Sequence, residues 1–258
     1  MLRFATYNVN SVRARLPILV QWLEAERPTV VCLQETKTQD ETFPVDELRS
    51  VGYQSFYRGE KSYNGVAILA DREIEPVQAG FDDGGPKDES RLLVARVADI
   101  LVCNTYVPQG RATDHPMFAY KLEWFDRFRR LLGAIAAPDV PLLWCGDFNV
   151  APEPIDVHDP KRLLGHVCFH PEAQSALSAV KAWGFVDVFR KHRPDPQEYS
   201  FFDYRVKDAV DRKIGWRIDH VWATRPLADR SVDAWIDLGP RRAEKPSDHT
   251  PMVATFAE

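Results

Sequence analysis

Short apolar runs that stop at polar residues recur along the whole chain, and they constrain its fold more than any other feature. Runs rich in β-branched and aromatic residues cover 2–7, 29–34, 65–70, 91–97, 100–106, 141–145, 216–223 and 252–256, each long enough for one strand. Three stretches between them have helical spacing instead. Residues 11–25 place Val12, Leu16, Leu19, Val20 and Leu23 on one face, with Pro17 in the early turns. Residues 116–136 carry Leu122, Phe125, Phe128, Leu131, Leu132 and Ile135, and 171–183 stops at Gly184. Hairpins are expected within 53–106. Strands alternating irregularly with a few helices predict an α/β sandwich with mixed sheets. No repeat, low-complexity tract or Gly/Ser linker divides the 258 residues, so 1–258 reads as one domain.

Composition removes several function classes. With 33 Lys+Arg against 38 Asp+Glu, the formal net charge is −5. That balance argues against a protein that coats nucleic acid through a broad basic surface, but not against an enzyme that acts on it. The clusters Arg13/Arg15, Lys161/Arg162, 190–193 and 205–213 read as solvated faces. No apolar run approaches the roughly 20 residues needed to span a bilayer. The segment MLRFATYNVN lacks the pattern of a secretory signal, so a cytoplasmic address is expected. Cys32, Cys103 and Cys145 sit inside apolar runs and, with Cys168, show no zinc-type spacing. Reduced, buried thiols are expected.

The residues that end the runs carry the chemistry. The first run hands over to Asn8, VVCLQ to Glu35, ILVCNT to Tyr106, PLLWCG to Asp147 with Phe148 and Asn149, and WRI to Asp219. Ser247, Asp248 and His249 precede the last run. Any one of these could be a turn former or a cap. Together they place carboxylates, amides, a phenol and an imidazole along one rim of a sheet, where ligand sites commonly form.

Their flanks are TYNVNS (6–11), LQETK (33–37), YVPQGR (106–111), GDFNVAPEP (146–154), WRIDHVWA (216–223) and KPSDHTPM (245–252). In this order the set resembles the exonuclease III family of Mg²⁺-dependent DNA-repair nucleases, within the endonuclease/exonuclease/phosphatase superfamily. GYQSFYRGEKSYNGVAIL (52–69), WGFVDVFRKHRP (183–194) and SFFDYR (200–205) extend the likeness over the full chain. The resemblance implies a four-layered α/β sandwich, two packed mixed β-sheets flanked by helices, with the active site at one end of the sheets. It implies cleavage 5′ to abasic sites and 3′-to-5′ degradation of duplex DNA.

The same resemblance assigns roles. Glu35 is the principal Mg²⁺ ligand, with Asn8, Asp147, Asn149 and Asp248 in or beside the metal site; Mn²⁺ can substitute. Asp147 orients or deprotonates the attacking water, Asn149 and Tyr106 contact the scissile phosphate, and Asp219 with His249 forms a carboxylate–imidazole pair. Asn10, Arg91, Gln109, Arg111 and Phe201 are the expected DNA contacts, and Arg13, Lys121 and Lys161 are further candidates from position alone. A monomer acting on double-stranded DNA is expected. Independently of any family, a phosphodiester anion calls for a hard cation on oxygen ligands and for uncharged donors toward developing oxyanion charge.

The chain departs from its relatives at some positions. Asn10 stands where eukaryotic abasic endonucleases carry Asp, Ser11 replaces a frequent Gly, Gln109 replaces Asn, and Phe201 stands where Trp is common. His220, directly after Asp219, has no assigned direction. Two other readings stay open: a superfamily phosphodiesterase or phosphatase on another substrate, and a catalytically silent DNA-binding relative.

Overall fold

The computed structural model describes residues 1–258. Its strands are β1 (Leu2–Asn8), β2 (Val30–Gln34), β3 (Gln54–Arg58), β4 (Val66–Ala70), β5 (Glu75–Ala79), β6 (Leu92–Val97), β7 (Ile100–Tyr106), β8 (Leu142–Asp147), β9 (Phe185–Asp187), β10 (Asp219–Thr224), β11 (Ser231–Ile236) and β12 (Met252–Phe256). The helices are α1 (Val12–Glu26), α2 (Val45–Ser50), α3 (Pro116–Ile135), α4 (Pro160–Leu163), α5 (Pro171–Lys181), α6 (Val188–His192) and α7 (Arg225–Ala228).

Two six-stranded mixed sheets result, in the orders β11-β12-β1-β2-β4-β3 and β5-β6-β7-β8-β10-β9. Each has one central parallel pair, β1 with β2 and β7 with β8, flanked by antiparallel neighbours. The two-residue period of a strand then sorts side chains into layers. Phe4, Cys32 and Ile68 of the first sheet meet Val102, Leu143, Cys145 and Val221 of the second in the inter-sheet core. Ala5, Tyr7, Val31 and Leu33 face outward onto Leu19, Trp22 and Leu23 of α1. Cys103, Trp144 and Trp222 face the other way, onto Trp124, Phe125 and Phe128 of α3 and Leu177 of α5. The order is helices, sheet, sheet, helices, the four layers expected. Each fully buried large side chain contributes roughly 1.5–3 kcal/mol.

Local chemistry sets the helix starts. Pro116 and Pro171 occupy the first turns, where a missing N–H removes no hydrogen bond. His115 and His170 cap them through side chains that accept from Met117 N and Glu172 N. Pro17 lies exposed inside α1, which continues through it. All four cysteines are buried and free. No helix is long and apolar enough to cross a membrane.

Candidate active site

The carboxyl ends of both parallel pairs point the same way, and the polar residues that end the sequence runs gather there. Asn8 closes β1 beside Gln34 at the end of β2, so Glu35 follows next to it. Tyr106 closes β7 opposite Asp147, the last residue of β8. Strand β10 runs antiparallel to β8, which brings its first residue, Asp219, to Asp147. The antiparallel pairing of β12 with β1 sets the 247–250 segment beside Asn8. Gly146 permits the close approach under Asp147: with φ at 146°, an added Cβ would lie 1.9 Å from the Thr105 carbonyl oxygen.

Beneath this rim a buried polar floor ties the sheets together. Gln34 Nε2 donates to Asn104 Oδ1 at 2.8 Å and to Thr6 Oγ1 at 2.9 Å. Asn104 Nδ2 donates to the carbonyls of Leu33 and Ala67 at 3.0 and 2.8 Å. These bonds fix the end of β2, and therefore Glu35, relative to the second sheet.

Ligand-forming atoms of Glu35, Asp147 and His249 all lie within 4.8 Å of one another. Asn8 Nδ2 donates to Glu35 Oε1 at 2.8 Å and to Asp147 Oδ2 at 2.9 Å. His249 Nδ1 lies 2.8 Å from Asp219 Oδ2, and its Nε2 lies 3.8 Å from Asp147 Oδ2. Lys37, unassigned in the sequence reading, sits 2.7 Å from Glu35 Oε2 and donates to Asn10 Oδ1 at 2.6 Å. Asn10 Nδ2 donates to Asp248 Oδ1 at 3.0 Å, which joins Asp248 to the site's edge, outside the three-residue cluster. Lys37 stands inside LQETK, so the motif itself held the signal.

Electrostatics divides the acids. Burial alone would raise the Glu35 pKa, but the Lys37 ammonium and the Asn8 amide hold it below the ordinary carboxylate range. Asp147 goes the other way: burial, then the Asp219 and Glu35 charges, push it up to about 7 against the pull of His249 and Asn8. Burial disfavours a charged His249, yet Asp219, Asp147 and Asp248 together outweigh that and raise its pKa to about 10. The imidazole is therefore the protonated partner of the acids.

Tyr106 is held as a neutral phenol by burial and by the neighbouring Glu35 and Asp147 charges. The Arg91 guanidinium lies 4.8 Å from the Tyr106 ring centre and donates to its carbonyl at 3.2 Å. Asn149 N donates to Asp147 Oδ1 at 2.9 Å, and one N–H of its amide goes to the Val107 carbonyl at 3.0 Å. Gln109 Oε1 accepts from Arg111 N at 2.7 Å, holding those two on one turn further out. The Phe201 ring sits 4.9 Å from the His249 ring.

Several of these residues adopt left-handed backbone: Asn10 (φ 45°), Ser11 (84°), Glu35 (50°), Lys37 (51°), Arg111 (61°) and Asn149 (51°). Such conformations cost non-glycine residues of order 1 kcal/mol or more and cluster where function requires them. Ser11 thus occupies a glycine-type conformation, with its hydroxyl capping α1 at Ala14 N.

Some expectations from sequence position do not hold. Lys121 is fully enclosed, and its Nζ donates to the carbonyls of Gln109, Asn149 and Val167 at 3.2, 2.7 and 2.7 Å. It is an internal clip under the site loops, out of reach of a docked duplex. Arg190 is likewise no solvated face, because it pairs with the buried Asp156. His220 points away from Asp219, into the outer layer. Its Nε2 bonds the Val150 carbonyl at 2.9 Å and its Nδ1 meets Arg217 Nη1 at 3.1 Å. Burial first, then Arg217, lowers its pKa to about 4, so it is neutral.

Two packed mixed sheets joined in this order have counterparts among known proteins. Residues 5–249 match the model of the endonuclease/exonuclease/phosphatase family. The exodeoxyribonuclease III of Haemophilus influenzae is 34% identical, over 99% of this chain and 100% of that protein. The structure of an AP endonuclease from Archaeoglobus fulgidus superposes with a TM-score of 0.98 at 49% identity, covering all of both chains. A 3′ phosphatase from Neisseria, bound to a product DNA hairpin, superposes with a TM-score of 0.94 at 31% identity, again over both full chains. The chain belongs to the endonuclease/exonuclease/phosphatase family.

Proposed function

We propose that this chain is a Mg²⁺-dependent DNA-repair phosphodiesterase of the exonuclease III type. It removes nucleotides from 3′ ends of duplex DNA, cuts 5′ to abasic sites and clears 3′-phosphates, acting as a monomer. The observation that carries this reading is the convergence of Glu35, Asp147 and His249 within 4.8 Å. The relatives support the substrate class, since they are described as an exodeoxyribonuclease, an AP endonuclease and a 3′ phosphatase holding DNA.

The donor set fits Mg²⁺. Glu35 and Asp147 offer hard carboxylate oxygens, while Asp219, Asp147 and Asp248 draw His249, the one nitrogen of the cluster, toward its protonated form, which favours a donor role toward phosphate over ligation. Glu35 would be the principal ligand of the ion, with Asn8, Asp147, Asn149 and Asp248 beside it. Bound there, Mg²⁺ supplies charge neutralisation for the phosphate and the leaving oxygen. Mn²⁺, with the same taste for oxygen, would serve.

The remaining chemistry belongs to the chain. Asp147, with its pKa raised to about 7, is poised to take a proton from the attacking water. That water's oxygen joins phosphorus as the P–O3′ bond breaks, the departing O3′ takes a proton from solvent, and a 3′-hydroxyl and a 5′-phosphate result. Protonated His249, steadied by Asp219, and the neutral Tyr106 hydroxyl face the phosphate as donors. Asn149 keeps its second amide N–H for a phosphate oxygen. Asn10, Arg91, Gln109, Arg111 and Phe201 line the approach as DNA contacts.

A substrate panel tests the reading. A duplex with a recessed 3′ end, incubated with Mg²⁺, should release nucleoside 5′-monophosphates. Turnover of sugar-phosphate or lipid phosphodiesters with the duplex left intact would place the chain in another branch of the family.

A further inference from the structure

We infer that Ser200 is a positioning residue for the reaction, the third member of a buried chain Ser200–Asp219–His249. This rests on the nuclease reading given above and extends it to a side chain with no motif role of its own.

Asp219 is fully buried, and its two side-chain partners share one of its oxygens. Ser200 Oγ donates to Asp219 Oδ2 at 2.6 Å, and His249 Nδ1 meets the same oxygen at 2.8 Å. Asp219 Oδ1 has no partner. A buried carboxylate with so few donors depends on each for charge compensation and for orientation. Ser200 is itself held from several directions. Its hydroxyl accepts from Asp219 N at 3.2 Å and from Ile218 N at 3.4 Å. Its backbone N donates to the Trp216 carbonyl at 3.0 Å, and its carbonyl accepts from Thr250 N at 2.8 Å.

Two consequences follow. The amides direct the Ser200 proton toward Oδ2, so the hydroxyl acts as a fixed donor. Because the Ser200 backbone also bridges the approach to β10 and the segment after His249, one residue sets both the carboxylate plane and the place of the imidazole. Without the hydroxyl, Asp219 Oδ2 loses its shortest bond and the carboxylate is free to rotate toward the unpartnered side. His249 then keeps its charge partner but loses its aim. The loss falls mainly on the chemical step, because the His249 donor matters more to the charge that develops in the transition state than to the bound phosphate.

The test uses the full chain and a duplex with one abasic analogue. Ser200→Ala should lower kcat by roughly ten- to a hundred-fold with KM nearly unchanged. Ser200→Thr, which keeps a hydroxyl at the same carbon, should restore most of it. Asp219→Asn combined with Ser200→Ala should lose no more than Asp219→Asn alone. A readout independent of activity is the low-field proton resonance of the His249–Asp219 hydrogen bond, which should shift or broaden in Ser200→Ala and recover in Ser200→Thr. If Ser200→Ala does not fold, Ser200→Cys, somewhat larger and a weaker donor, should lower kcat by at least about tenfold with KM nearly unchanged. Wild-type kcat and an unmoved resonance in the folded variant would overturn the inference while leaving the nuclease reading intact. Failure of the wild-type chain to cleave would instead strike that reading.

Discussion

Glu35 and Asp147 belong to different halves of the sandwich, yet both accept hydrogen bonds from one nitrogen, Asn8 Nδ2, at 2.8 and 2.9 Å. The amide acts as a neutral spacer that holds two repelling carboxylates at the separation a cation would bridge. Asn8→Ala removes the spacer. The concentration of Mg²⁺ needed for half-maximal cleavage should rise by about tenfold or more, since partners of this kind typically alter metal affinity by 10–100-fold. Superimposable Mg²⁺ titrations of the variant and the wild type would exclude this role.

His249 and Asp219 should behave as one unit, with their 2.8 Å bond fully buried. Asp219→Asn and His249→Gln should each reduce kcat by roughly 10²- to 10⁴-fold, and the double variant should be little worse than either single one. Losses that simply multiply in the double variant would show that the two act separately.

Activity should fall as pH drops through neutrality, because Asp147, with its pKa near 7, takes up a proton and can no longer accept one from water. A bound cation opposes protonation, so the acidic limb should move down as Mg²⁺ rises. Stability follows the same group with a definite sign. The folded pKa lies above the ordinary 3.8, so the folded state holds a proton that the unfolded chain releases. This contribution from Asp147 is full below about pH 4 and is lost on the way to about pH 7. Mg²⁺ should therefore raise Tm more above about pH 8 than below about pH 6. An equal thermal shift at both ends of the range would contradict the assignment.

Asn104 lies under the site and donates to the Leu33 and Ala67 carbonyls across the sheet interface. Asn104→Leu takes the side-chain donor from those carbonyls and leaves Gln34 only its Thr6 and Cys32 acceptors. Unfolding free energy should fall by about 2–4 kcal/mol, with weaker Mg²⁺ dependence as Glu35 drifts from Asp147. Denaturant titration in parallel with the cleavage assay checks both; a stability within about 0.5 kcal/mol of wild type would sink the argument.

The strands that carry the polar rim are legible because they are buried on both faces and read as continuous apolar runs. The runs at 100–106 and 252–256 coincide with β7 and β12. The strands without such a run are β3, β5, β9 and β11, which are the four outer edges of the two sheets. Edge strands cover less core, and β3 and β5 are mostly half-buried or exposed, so their composition approaches that of a loop. For the hairpins that hold β3 and β5, only the 53–106 region was expected, without strand limits. In the site, Asn8, Glu35, Tyr106, Asp147 and Asp219 announced themselves by ending apolar runs. Lys37, Ser200 and Ser247 end no run; each stands inside a segment of the resemblance, but the contact it makes is visible only in the fold. Ser247 Oγ, for example, donates to the Asn8 carbonyl at 2.7 Å. Lys121 misled for the related reason that sequence alone does not reveal which basic residues the fold encloses.

Hydrolysis of DNA phosphodiesters by the Glu35–Asp147–His249 cluster with a divalent cation, as proposed above, has a direct consequence for a damaged duplex. The direct test uses a 5′-labelled duplex bearing one tetrahydrofuran abasic analogue, incubated with Mg²⁺ or EDTA, with wild-type chain or Asp147→Asn. One Mg²⁺-dependent cut immediately 5′ to the lesion, absent with EDTA and at least about 100-fold slower in the variant, is the expected result. An intact strand, with the chain verified as folded and metal-loaded, would contradict the account, and so would a cut that survives in Asp147→Asn.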